Sequence, residues 1–154
     1  MRSFSLICAL LCVFFAVNAQ SDNQSVEMTQ QRLHELIESV GSDVVISGNV
    51  VGFTINGIKL ACISDVSANR MRILSPIMEV GQVEQQQLVL AMAANFHTAL
   101  DARYAISQDF IYSVFIHPLS SLTEKDVISA VYQVAQASAT FGTEYTSGEL
   151  QYGG

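Results

Sequence analysis

Apolar residues recur at three- and four-residue steps after Ser25. Val26, Leu33, Leu36, Ile37 and Val40 share one side of a helix, and Gln30, Gln31, Glu35 and Glu38 the other. Ser25 reads as its N-cap and Gly41 as its stop. From Asp43 to Val80 the pattern is β-rich. Val44–Ile46 reads as a short strand or an irregular lead-in. Val50–Ile55 and Ile58–Ser64 flank Asn56-Gly57, whose residue types suit the two positive-φ positions of a type I′ hairpin. A turn over Asp65–Asn69 leads to a strand at Met71–Met78, with Met71, Ile73 and Ile77 on one side and Arg72, Leu74 and Met78 on the other. Pro76 cannot donate to a ladder, so this strand lies at an edge or is bulged there.

Gly81 opens a long helix through Leu100, with Leu88, Met92, Phe96 and Ala99 as its buried stripe, flanked by Ala91 and Asn95. A second hairpin, Arg103–Ser107 and Phe110–His117, turns at Gln108-Asp109. In its second strand Phe110, Tyr112, Val114 and Ile116 alternate with Ile111, Ser113, Phe115 and His117. Both faces are largely apolar, as in a central or interface strand. The last helix starts clearest, with Thr123 as N-cap, Asp126 completing a capping box and Leu122 placed to staple onto Val127. Val127, Val131, Val134 and Ser138 run down one side, and Gly142 closes it. Thr143–Gly154 reads as a flexible tail. The order is α-β-β-β-α-β-β-α, an α+β domain over 20–142 with its helices packed on one face of an antiparallel sheet.

Residues 1–19 have the grammar of a secretory signal: Arg2, an apolar run over Phe4–Val17, and Val17-Asn18-Ala19 before a cut that leaves Gln20 first. The run is short of the roughly 20 residues a membrane span needs, so no stable membrane insertion is expected after signal removal. The expected location is outside the cytoplasm, in the periplasm or secreted. Charged residues are only 14% of the chain and the net charge is −7. Loss of Arg2 with the signal makes the remainder more acidic still, which argues against nucleic acid as a partner. So little charge on the surface points to a covered face, most simply by self-association. Cys8 and Cys12 leave with the signal, and Cys62 reads as a buried thiol or, alternatively, one side of an intermolecular disulfide.

The chemistry-bearing residues are sparse. His34, His97 and His117 have no paired-ligand spacing, and His34 beside Glu35 reads as solvated. No Gly-x-Ser-x-Gly elbow occurs, and Cys62 has no neighbouring base. Glu124 and Asp126 are explained by the helix start they flank. Asn95, Asp101, Arg103 and Tyr104 form a denser polar group, in which Asp101 and Arg103 are placed to pair across a turn. No catalytic residue, metal or cofactor is assigned. An enzymatic alternative would be a small metal-dependent hydrolase using His97, His117 and Asp101; a second alternative is a small-ligand carrier.

The element order, a middle helix ending Asn95-Phe96-His97-Thr98-Ala99-Leu100-Asp101, and the Leu122-Thr123 helix start resemble the type III secretion chaperone-like fold. That fold is shared by the Tir-chaperone (CesT) and YbjN groups, and the resemblance covers Gln30–Phe141. It implies a non-enzymatic, typically dimeric protein without cofactor that holds partner polypeptide on apolar surfaces, or acts as a regulator. Secretion chaperones work in the cytoplasm, so the signal here redirects the expectation to an exported binding or regulatory module. The expected partner or dimer surface is Leu74, Met78, Phe110, Tyr112 and Phe115, with Arg72 and Arg103 as orienting charges. On this reading Phe115→Asp breaks a homodimer and leaves a folded monomer.

Overall fold

The Asn56-Gly57 hairpin anchors the architecture: both residues take positive φ, at 49° and 82°, as a type I′ turn requires. It joins β2 (Val50–Ile55) to β3 (Ile58–Asp65) in a register that sets Val51 opposite Cys62 and Phe53 opposite Leu60. These four side chains are buried on one face. The structure is a computed structural model, and it describes residues 27–148. Residues 1–19, read above as a signal, Ser25, Val26 and residues 149–154 lie outside them.

Six strands form one antiparallel sheet in the order β1-β2-β3-β4-β6-β5. β1 is Ser42–Ser47, β4 is Arg70–Glu79, β5 is Arg103–Ser107 and β6 is Phe110–His117. Three helices, α1 (Gln30–Val40), α2 (Gln85–His97) and α3 (Glu124–Thr140), pack against it. The α+β class and element order are as expected, with Val44–Ile46 part of the edge strand β1, whose register shifts between Ser42 and Val45.

α1 begins at Thr29, whose side chain accepts from the Arg32 N–H at 3.1 Å. It ends at Gly41, where a Cβ would stand 3.1 Å from both the Ile37 carbonyl and the Phe53 ring. α3 has the expected capping box. Thr123 and Asp126 exchange side-chain-to-backbone hydrogen bonds, and those from Thr123 hold the Asp126 carboxyl below its ordinary range. Leu33 and Ile37 from α1 meet Val127, Val131 and Val134 from α3 over the sheet in the main core. Arg32 ties the two helices at the surface by bridging Glu35 and Glu124.

Three expectations are corrected. α2 turns the small Ala91 and Ala94 inward over Tyr104, Ala137 and Tyr145, and leaves Met92 and Phe96 outside. The rings of Tyr104, Phe141 and Tyr145, with centroids 5.4–6.1 Å apart, already fill the space beneath it. Second, residues 143–148 are not tail: Tyr145 and Ser147 are buried. Thr98 Oγ1 donates to the Tyr145 carbonyl at 2.6 Å, and the Leu100 N–H donates to Ser147 Oγ at 2.6 Å. Third, Met78 leaves the outer face: of the two options Pro76 allowed, β4 takes the bulge, between Pro76 and Met78, and is a central strand. Past the bulge Met78 pairs with Ile111, whose side chain is buried beneath the helices, so the register carries Met78 off the outer face.

Cys62 is 1% exposed, and burial pushes its thiol up to about 12. No sulfur of another copy reaches it while the sheet is intact. Thiol-reactive reagents work on the thiolate, so the folded protein at about pH 8 is expected to leave Cys62 unlabelled over hours, with full labelling in guanidinium. Rapid native labelling would place the side chain outside the core.

Candidate interaction surfaces

The helices cover one face of the sheet only. On the other, alternation brings up Ile63 from β3, Arg72 and Leu74 from β4, and Phe110, Tyr112, Val114 and Ile116 from β6. Two cross-strand rows set the geometry: Ala61, Leu74, Val114 and Arg103 in one, Ile63, Arg72 and Ile116 in the next. Ile116 is 55% exposed. An open groove of about 440 Å³ runs over Leu74, Tyr112 and Val114, with Arg72 and Ile116 at its margin. A second, of about 460 Å³, shares those two residues and extends to Ile63, Asp65 and Arg70.

Of the residues singled out in sequence, Arg72, Leu74, Phe110 and Tyr112 therefore meet on this face. Arg103 joins them from the edge strand β5, half-buried and paired with Val114. Met78 does not, for the reason given above. Phe115 does not either: it is buried among the core residues on the helix side. It stacks there on His117, with centroids 5.8 Å apart and planes within 6°.

A second apolar surface was missed in the sequence. On α2, Val89, Met92 and Phe96 are 61%, 66% and 85% exposed. A helix apolar on all sides needs cover on all sides. The available signal was the run Leu88–Phe96, which holds no charged residue at all.

The polar group divides. Asp101, Arg103, His117, Asp126, Ser129 and Gln133 line a cleft of about 300 Å³ at one end of the sheet. His117 Nδ1 lies 2.9 Å from the Pro118 carbonyl, which makes it the donor nitrogen. Asp101 and Arg103 form no ion pair; the Arg103 guanidinium donates to the Ala102 carbonyl at 3.2 Å. His97 is outside the cleft, exposed on α2 with its ring edge-on to Phe96. His34, read as solvated, is half-buried, and its Nε2 is shut off from solvent without a partner among the described residues. Among those residues no three His, Cys, Asp or Glu side chains converge as a metal site, and no helix is long and apolar enough to cross a membrane.

No family model matches the sequence, and no curated protein matches it. Solved structures do. A chain of the HopA1–SchA chaperone–effector complex superposes with a TM-score of 0.55 at 11% identity, over 71% of this chain and 88% of that one. A chain of the ExsC–ExsE complex superposes at 0.54 with 8% identity, over 71% and 86%. This is the type III secretion chaperone-like fold. In this chain the chaperone-like fold covers one sheet face with α1, α2 and α3. It leaves the other face and the outer side of α2 open.

Proposed function

We propose that the protein is an exported, non-enzymatic, chaperone-like binding module that pairs through α2 and holds a partner polypeptide on the open sheet face. The observation that carries this reading is the pair of apolar surfaces that no other described part of the chain covers. Complete burial of a Val, Met or Phe side chain is favourable by about 1.5–3 kcal/mol, and a twofold pair of α2 helices buries each of Val89, Met92 and Phe96 twice. That gain stands against an association cost of roughly 4–15 kcal/mol. The fold shared with a chain of the HopA1–SchA chaperone–effector complex supports the same role, and the signal grammar of residues 1–19 supports export, with the periplasm as the proposed location.

Sedimentation tests the pairing. The wild-type protein is expected to run as a dimer, and Met92→Asp with Phe96→Asp as a folded monomer, with association weakened about 100-fold or more. A monomeric wild type at micromolar concentration overturns the pairing. Cross-linking in the native envelope fraction tests the rest. A stoichiometric polypeptide partner is the expected product, whereas a homodimer carrying only a small molecule would point to a ligand carrier.

A further inference from the structure

Four of the chain's seven basic residues, Lys59, Arg70, Arg72 and Arg103, stand on outer-face positions of β3, β4 and β5. The net charge is −7, so positive charge is concentrated on the one sheet face that is also apolar and open. Among the described residues every ion pair belongs to Arg32, on the helix side, and none of these four cations is neutralised at ion-pair distance. Asp65, opposite Arg70, and Glu79, opposite Phe110, are the acidic groups on the same face, at its two ends. Arg72 therefore stands at the margin of the groove over Leu74, Val114 and Ile116, and Arg103 stands opposite Val114 at the sheet edge, where it also lines the end cleft with Asp101 and Asp126 but forms no ion pair with either.

We propose that this face selects acidic, apolar-rich segments of a partner polypeptide, a reading that rests on the protein-binding role above. Apolar side chains of the segment would lie on Leu74, Tyr112, Val114 and Ile116, and its carboxylates would meet Arg72 and Arg103. Charge arranged this way sets partner choice and encounter rate more than raw affinity. The acidic remainder of the protein repels the same segment, which steers it to the sheet. A second copy is a poor occupant, because a twofold sheet-to-sheet contact brings two copies of the same basic face together. Nucleic acid is a poorer one, since few cations face phosphate on a strongly acidic chain.

The test is selection of short random peptides from a display library on the purified protein and on its Arg72→Glu/Arg103→Glu variant. Both side chains reach solvent, and an unchanged unfolding midpoint certifies the variant as folded. Peptides selected on the wild type are expected to be enriched about twofold or more in Asp and Glu together with Leu, Ile, Phe or Tyr, and to bind the variant about tenfold more weakly. Enrichment without acidic bias, or the same bias on the variant, overturns the proposal and leaves the protein-binding role standing. No enrichment at all overturns both. A change of sedimenting mass in the variant would assign the face to a second copy, which also overturns it.

Discussion

Phe115→Asp is expected to leave no folded protein, and Phe115→Ala to lower the unfolding free energy by about 3–5 kcal/mol. The ring is 6% exposed and belongs to the cluster formed by the inner faces of β2–β4 and β6 with α1 and α3. Removing it forfeits the transfer free energy of the ring and leaves a cavity that a close-packed core closes only in part. A domain of this size is stable by about 5–15 kcal/mol in total. A carboxylate at the same place adds the cost of an unpaired buried charge, which uses up what remains. Urea unfolding followed by circular dichroism measures the effect. Tyr112→Ala, three residues away on the opposite face, is the control, and it is expected to change stability by less than about 1 kcal/mol. A folded, dimer-broken Phe115→Asp variant would return Phe115 to the interaction surface and reverse the sheet's two faces.

That inversion marks the boundary of what the sequence specifies. Where a face is polar, alternation names it: Gln31, Glu35 and Glu38 on α1 left no doubt which side was wet. β6 gives no such cue, because Phe110, Tyr112, Val114 and Ile116 are as apolar as Ile111 and Phe115. Only the register with β4, where Arg72 faces Ile116, identifies the outer side. In α2 the spacing of large apolar residues does not name the buried side. Helical spacing picks out Leu88, Met92, Phe96 and Ala99 as one stripe with Ala91 at its flank, yet Ala91 and Ala94 are the residues that allow close approach over Tyr104 and Tyr145. The bulge after Pro76 changed the parity of the strand and carried Met78 with it, although Pro76 itself had announced a bulge as one of two options. The segment 143–148 was hidden by polar composition. Thr98 and Thr140 at the ends of α2 and α3 satisfy the backbone groups of Tyr145 and Thr146, Ser147 accepts from the Leu100 N–H, and a composition cannot display such partners. The open face itself was half legible: four of seven named residues, Arg72, Leu74, Phe110 and Tyr112, stand on it directly, with Arg103 beside them at the edge.

Gln133→Ala is expected to cost about 2–4 kcal/mol, although the residue had drawn no notice in the sequence. Its side chain is buried on α3, where Oε1 accepts from the backbone N–H groups of Asp101 at 2.8 Å and Ala102 at 3.1 Å. Nε2 donates to Ser129 Oγ at 3.0 Å. Ala102 is fully buried, so truncation strands at least one N–H away from water. An unmade hydrogen bond of that kind costs about 1–3 kcal/mol, and the lost packing adds to it. The readout that separates this from a general loss of packing is amide exchange. The Asp101 and Ala102 amides are expected to speed up by more than the rest of β5 and β6. Unchanged protection there would mean that water from the adjoining cleft replaces the amide oxygen. The consequence reaches the binding face. Asp101 and Ala102 lead directly into Arg103, so the clamp that Gln133 applies from the helix side fixes where the edge strand begins and where its arginine stands. If an acidic partner is selected by Arg72 and Arg103 together, Gln133→Ala weakens that selection from behind the sheet, without touching the partner.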